Sequence, residues 1–449
     1  MGLAMIWMVA AGVTAVLASS WVISSMSRFV WRPHAITQAF RAQGVRGPDY
    51  RFLVGNLREI KWLLVESAGL VLGVGCHDYG ALVLSDRKGL FPKNPVNDHF
   101  TRLLGKGLVL IDGDEWKRHR KVVHPVFNVD KLKLEEVAAE VISHVAFGRN
   151  HKEAKELYLA QKELQFLAFS SIFNVFNIIP GFRYLPTKSN LKMHALEIEV
   201  RSVLVNIIKN RLNCKDTMGY GNDMLGIIMN TCTPEHVHKP LMSMDEIIDE
   251  CKTFYLAGHE TTTQLLTWTM FLLSTHSEWQ EKLREELMRE CGREIPTADM
   301  LNNMKLVHMF ILETLRLYGP VTNIQRKAGS DIELGGIRVP EGTILSTPIK
   351  TIHRDKKLWG EDADHFKPQR FKYGVSRAAK HPYAFLPFSM GPRACIGQNF
   401  TMIEVKVVFA MILQRFSVSL SPKYVHAPMD VFTIHPRYGL QVVLKILQM

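Results

Sequence analysis

Cysteine is scarce and dispersed in this chain of 449 residues: six, at positions 76, 214, 232, 251, 291 and 395. No two stand at the spacing of a zinc site or a Cys-x-x-Cys redox motif, which argues against a metal knuckle, a dithiol enzyme and a disulfide framework. The pattern fits a reducing compartment in which one cysteine does chemistry. Internal repeats and low-complexity tracts are missing too, so solenoid architectures are set aside. A complete dinucleotide-binding loop is also lacking. Gly73-Val74-Gly75 and Gly105-Lys106-Gly107 each begin one, but positions 78 and 110 are Asp and Leu where Gly-x-Gly-x-x-Gly needs glycine. Both stretches read as turns, and the chain is not expected to bind NADPH itself. Acidic residues are in deficit, 43 against 55 Lys and Arg, for a formal net charge of +12. That balance suits an anionic membrane face or an acidic protein. Nucleic acid is set aside, because the basic residues are scattered and no zinc-finger or RNA-binding signature accompanies them.

Charged side chains are wholly absent from Leu3 to Met26. A helix of about 20 apolar residues crosses a bilayer, and Trp7 and Trp21 suit its two interfaces. Arg28, Arg32, Arg41 and Arg46 follow, which orients the rest of the chain to the cytosolic side. A cleaved signal peptide needs a basic start that is missing here. Met1-Gly2 lacks the Ser or Thr of a myristoylation site. The expected organisation is a single-pass transmembrane anchor over 1–27, a basic linker over 28–56 and a catalytic domain over 57–449. At 47% hydrophobic residues, the chain can bury a large core or two smaller ones.

Helix is expected to predominate, with a small separate share of strand. Asp112 to Lys121 and Val141 to Ile179 read as helical, the second ending at Pro180-Gly181. Ser243-x-x-Glu246 is a capping box that opens a helix running to about Thr275. Ser277-x-x-Gln280 opens the next, and Leu306 to Leu317 forms another that stops at Gly319-Pro320. Ile332 to Val339 turns at Gly335-Gly336, Thr343 to Ser346 is a strand, and Val431 to Val443 is a terminal hairpin. Asn399 to Phe416 reads as helix, and 212–240 as a polar loop in which His236 and His238 are solvated.

Four clusters carry chemistry. Cys395 lies in a glycine-rich loop just before a helix, in the string Phe388-Ser-Met-Gly391-Pro-Arg393-Ala-Cys395-Ile-Gly397. Close backbone N–H groups, the helix N-terminus and the Arg393 charge all favour a thiolate. Against this stands the ordinary fate of a lone cysteine, burial as a small apolar side chain. Inside the long helix, Ala257-Gly258-His259-Glu260-Thr261-Thr262 combines a missing side chain, a carboxylate and a hydroxyl. Gly258 makes room for a small ligand, and Thr261 can bond back to a carbonyl one turn earlier and bend the helix. Glu260 with Thr261 makes a short proton relay. A kinked core helix with a solvated glutamate is the bland reading. Glu313 and Arg316 share a helix face and can pair, as many surface residues do without consequence. Trp116 and Arg120 stand one turn apart and offer an indole donor and a guanidinium, which suit a carboxylate.

These strings resemble the cytochrome P-450 superfamily of haem-thiolate monooxygenases. The cysteine loop matches its signature Phe-x-x-Gly-x-Arg-x-Cys-x-Gly at Phe388, Gly391, Arg393, Cys395 and Gly397. The resemblance implies a mainly α fold with a small β region (α+β), a haem (heme b) lying between the long helix and the Cys395 loop, and Cys395 as the iron ligand. It implies that Gly258, Glu260 and Thr261 serve dioxygen activation, and that Trp116, Arg120 and Arg326 hold haem propionates. Arg370 is implied to lock Glu313 and Arg316 in a structural triad. The implied reaction is RH + O2 + NADPH + H+ → ROH + NADP+ + H2O, with electrons from NADPH–cytochrome P-450 reductase. Lys117, Arg118, Lys121 and Lys406 are candidate contacts for that flavoprotein. The implied setting is the endoplasmic reticulum membrane and a lipophilic small-molecule substrate.

Arg41 to Arg51, Pro180 to Lys188, Trp359 to Ala363 and Tyr424 to Pro428 are similar to one plant clan, that of secologanin synthase and the gibberellin, brassinosteroid and cytokinin hydroxylases. The chain is roughly 60–80 residues short for this family, with joins expected between Glu59 and Leu82 and between Lys133 and Glu140. That shortening admits a haemless or catalytically impaired relative. An isomerase or dehydratase reading is opposed by the intact Glu260-Thr261 pair.

Overall fold

The computed structural model describes residues 31–45, 76–93, 98–127, 151–172, 182–213, 219–220, 224–232, 241–430 and 433–447, with isolated positions between 12 and 27. Most of the expected anchor, His236, His238, Gly73–Gly75 and most of both expected joins lie outside them. Among the described residues, no helix is long and apolar enough to cross a membrane.

A helix of 32 residues, Met244–Thr275, organises the rest. At 1.5 Å per residue it runs roughly 48 Å. Its start is fixed as the sequence pattern requires: Ser243 Oγ accepts the Glu246 amide at 3.2 Å, and the Glu246 carboxylate accepts the Ser243 amide at 2.7 Å. The two ends of this central helix enter different cores. Ile247, Ile248, Cys251 and Leu256 pack with Leu103, Leu164, Val200 and Leu225 from the helices Asp98–Leu104, His151–Ile172, Lys188–Asn213 and Met224–Cys232. Leu265, Leu272 and Leu273 pack instead with Leu283, Phe310 and Phe409 from Ser277–Glu290, Lys305–Tyr318 and Gln398–Leu413. The Gly258–Thr261 stretch lies between the two cores. The loop before the Trp116 helix presses on the first half. Gly105 adopts φ +70°, and a Cβ on Gly107 would come within 2.1 Å of Thr253 Oγ1. These two glycines therefore make a turn at a close helix approach.

Strands are few, and all pair antiparallel. Ile332–Leu334 and Ile337–Val339 (β2, β3) form the expected hairpin around Gly335-Gly336. Ile344–Thr347 (β4) pairs with Ile324–Lys327 (β1), a strand not foreseen. The expected terminal hairpin is split. Pro428–Asp430 (β6) pairs with Ile434–Pro436 (β7), while Val442–Ile446 (β8) crosses to Phe416–Leu420 (β5). The helix after Cys395 accordingly ends at Leu413 rather than Phe416. Within the stretch read as polar loop, Met224–Cys232 is helical and buries Leu225 and Ile228. Ser277 is the first residue of its helix and caps nothing, because His276 fills the junction with its ring bonded to the Leu272 carbonyl.

Glu313 and Arg316 are both fully buried and paired bidentately, at 2.7 and 2.8 Å. Arg316 also donates to the carbonyls of His353, Ala363 and His365. Arg370 Nε stands 3.4 Å from Glu313 Oε1, an ion-pair distance, and spends its other donors on Trp359 O and Asp362. The Lys367 amide completes the set on Glu313 at 2.8 Å. The pair thus pins the 353–370 segment to the Lys305–Tyr318 helix. Glu313→Ala leaves a guanidinium buried without its anion and should cost roughly 3–5 kcal/mol, read by urea unfolding. A loss under 1 kcal/mol defeats this account.

Candidate functional site

Cys395 sits in a loop built by backbone constraints. Its amide donates to Phe388 O at 2.8 Å, and Ala394 N–H donates to Gly391 O at 3.1 Å. Gly391 adopts φ +74°, and a Cβ there would lie 2.6 Å from Leu84 O and Ser85 Cα. Only glycine meets both demands, so the loop is seated on the end of the Cys76–Leu84 helix. Ser389, at φ +61°, is the one non-glycine residue in the left-handed region among those described. The Phe388 ring packs on the second core.

The sulfur lies in a recess: solvent can reach it, yet enough protein surrounds it that desolvation pushes the thiol pKa up, against the Gly397 N–H and the Arg120 charge. This corrects the expected electrostatics. Arg393 does not serve the sulfur. It is tied to the Asp112 carboxylate and to Phe91 O at 2.9 Å. Asp112, the N-cap of the Trp116 helix (Gly113–Val123), draws it away. The guanidinium that acts on Cys395 is that of Arg120, whose Nη1 donates to Ala394 O at 3.1 Å. Burial favours the thiol, and a cation bound at the sulfur would favour the thiolate.

The central helix faces this region through Phe254. Phe127 bridges Phe254, at 5.4 Å between centroids, and Phe400 on the helix after Cys395, at 6.4 Å. One turn on from Phe254, a Cβ added to Gly258 would meet nothing within 4 Å. Thr261 Oγ1 donates to Ala257 O at 2.6 Å, the back-bond read from the motif. Glu260 does not bond Thr261. Its Oε1 accepts from Thr433 at 2.7 Å and from Gln264 at 3.4 Å.

A cationic corner completes the site. The Trp116 ring has Arg120 at 5.6 Å, Arg393 at 5.9 Å and Lys93 at 6.0 Å from its centroid. Arg326 is buried, and its one described side-chain hydrogen bond goes to the adjacent Gln325 carbonyl. Burial, aided by Arg393, pushes Arg326 down to about 10, and burial pushes Lys93 down to about 7. Arg393 pairs with Asp112, whose charge also acts on Arg326 and Lys93. Lys93 gave no sequence signal. His119 gave none either. It is buried, with Nδ1 on Glu250 and Nε2 3.4 Å from Glu246. It fastens the Trp116 helix to the central helix.

Of the proposed flavoprotein contacts, Lys117 and Lys121 are exposed. Lys406 is not available: it is buried and donates to Leu301 O at 2.8 Å. Arg118 is committed to Glu246 and Leu241 O.

A family model described as Cytochrome P450 matches residues 131–441. Cytochrome P450 709B3 of Arabidopsis thaliana is 40% identical over 501 positions, covering 94% of this chain and 96% of its own. The chain belongs to the cytochrome P450 family. Cytochrome P450 CYP72A616 of Paris polyphylla is 36% identical, with 95% and 96% covered, and Cytochrome P450 734A1 of Arabidopsis thaliana 33%, with 96% of each. The crystal structure of the cytochrome P450DA heme domain matches with TM-score 0.69 at 23% identity, over 82% of this chain and 87% of that one, a likeness of fold. The matched span of 501 positions exceeds the 449 residues present, so the relative carries stretches without a counterpart here.

Cytochromes P450 hold a haem iron and act as monooxygenases. The residues fit such a group: a recessed sulfur, open space over Gly258, and a buried guanidinium at Arg326 short of an anion. Gly258→Ala should stabilise the haem-free protein by about 0.5–1 kcal/mol, since alanine is the better helix residue, while lowering carbon monoxide affinity of the reduced holoprotein. An unchanged affinity rules out the open-space role. For His119, burial is the largest single effect and opposes the charge, but the hydrogen bond and charge of Glu250 together with the Glu246 bond outweigh it, and the pKa is raised above 6.5. Its contribution is therefore full below that value and lost as pH rises through the folded-state pKa. Unfolding of the wild type should show this loss against a flat His119→Gln difference curve.

Proposed function

We propose that this cytochrome P450 hydroxylates a small lipophilic plant metabolite, a terpenoid, steroid-like hormone or fatty acid, using dioxygen and electrons passed from NADPH by a membrane-bound reductase. The observation that carries the reading is the Cys395 loop, with the Gly397 amide and the Arg120 charge both acting on one recessed sulfur. A haem bound there supplies the dioxygen chemistry. Cys395 is its ligand, and Trp116, Arg120 and Arg326 hold its carboxylates. Gly258 leaves space beside the helix for a diatomic ligand. Glu260 and Thr261 move protons. Arg393 sets the loop through Asp112, and Phe388 and Gly391 shape it. The uncharged Leu3–Met26 segment supports an anchor in the endoplasmic reticulum membrane, and the exposed Lys117 and Lys121 support a face for an acidic reductase.

The missing stretches favour a second reading, a relative that has lost haem or turnover. Joins between Glu59 and Leu82 and between Lys133 and Glu140 would remove part of the small sheet and one helix. One experiment separates the two. The chain is expressed with haem, and the reduced carbon monoxide difference spectrum is recorded for the wild type and Cys395→Ala. A thiolate-type band in the wild type that vanishes in the variant supports the enzyme. A band that survives the substitution overturns it, and no band in either supports the second reading. With the band present, microsomes carrying the chain, reductase and NADPH should convert a member of a lipophilic metabolite panel.

A further inference from the structure

The carboxylate of Glu260 is held by a residue that no motif contains. Thr433 is 1% exposed and donates its hydroxyl to Glu260 Oε1 at 2.7 Å. Gln264 donates to the same oxygen at 3.4 Å. Among the described residues no hydrogen bond reaches Oε2. The two carboxylate oxygens are therefore unequal. Thr433 is itself anchored. The carbonyl of the next residue, Ile434, accepts from Trp268 Nε1 at 2.9 Å, and its amide donates to Pro320 O at 3.1 Å. Trp268 lies two turns beyond Glu260 on the same helix, stacked on Tyr318 at 4.4 Å. Helix, hairpin and aromatic stack thus fix the hydroxyl that fixes the carboxylate.

We propose that Thr433 is a positioning residue for proton delivery: by donating to Oε1 it holds Glu260 in one rotamer and leaves Oε2 as the oxygen that takes up and passes a proton. This rests on the monooxygenase reading and deepens it. An oxygen already accepting a hydroxyl proton is a poor site for a second. A proton arriving from solvent binds Oε2, and Glu260 passes it onward while Thr433 keeps its own on Oε1. Neither residue is consumed. Holding the carboxyl beforehand removes the rotamer search from each delivery, and a glutamate has three torsions to search.

The test uses the holoenzyme with reductase and NADPH, without added organic substrate, and measures hydrogen peroxide against water formed from dioxygen. Water needs more protons than peroxide, so poor delivery favours peroxide. Thr433→Val keeps the shape and removes the hydroxyl. Its peroxide-to-water ratio should rise roughly threefold or more, and Thr433→Ser should restore it. A cycle of Thr433→Val and Glu260→Gln in urea unfolding should be non-additive. A ratio unchanged by Thr433→Val, a serine variant as leaky as valine, or additive unfolding effects each overturn the proposal. A wild type without the thiolate-type band overturns the parent reading and this proposal with it. A normal band together with any of the first three results overturns this one alone.

Discussion

Asp112 ties the halves of the site together. Its carboxylate accepts the Gly113 amide as a helix cap and the Lys93 amide at 2.6 Å, and it pairs with Arg393 of the cysteine loop. Three segments far apart in the chain thus meet on two oxygens. The cap starts the Trp116 helix, which presents Arg120 to the loop and His119 to the central helix. The Arg393 bond holds the loop where Arg120 can reach Ala394 O. Charge-assisted bonds of this kind are short and directional, so the helix and the loop share one register.

The same corner is electrostatically lopsided. Lys93, Arg120 and Arg393 crowd Trp116, Arg326 feels the charges of Arg393 and Asp112, and burial brings Lys93 down to about 7. Desolvating cations together is costly unless an anion joins them. Two porphyrin carboxylates would answer that cost, so on the proposed reading the corner and the sulfur would depend on the same guest. In the bare protein desolvation holds the Cys395 thiol up. In the family's haem-bound state the iron would supply the missing positive charge. Assembly of the site and binding of the cofactor would then be coupled steps.

What could be read in the chain was what local chemistry dictates. The Ser243 box, the Gly391 turn, the Gly335-Gly336 hairpin and the Thr261 back-bond each follow from a residue's own geometry and near neighbours. What could not be read was the choice of partner. Nothing in Arg393 says that it prefers Asp112 to a sulfur two residues away. Nothing in Lys406 says that it is buried under Leu301. The β1–β4 and β5–β8 pairings depend on which edges the packed helices leave open. The Met224–Cys232 helix was hidden because polar flanks surround a short apolar run. Resemblance reached the cysteine loop because that loop is a compact string, whereas Lys93 and His119 belong to no string.

Thr433 shows the same limit inside the reaction centre. It lies 173 residues from Glu260 and carries no pattern. A helix alone places Glu260 and Thr261 side by side, but side by side on a helix is not face to face. Their side chains diverge, and each hydrogen-bonds elsewhere. The relay a motif suggests is therefore incomplete as a one-helix device. It needs a third element to set where the carboxyl points, and the terminal hairpin, clamped by Trp268, is the element that touches it. On the proposed reading the central helix would supply the proton-bearing groups, while the far end of the chain, through Thr433, engages one oxygen of Glu260 and leaves the other.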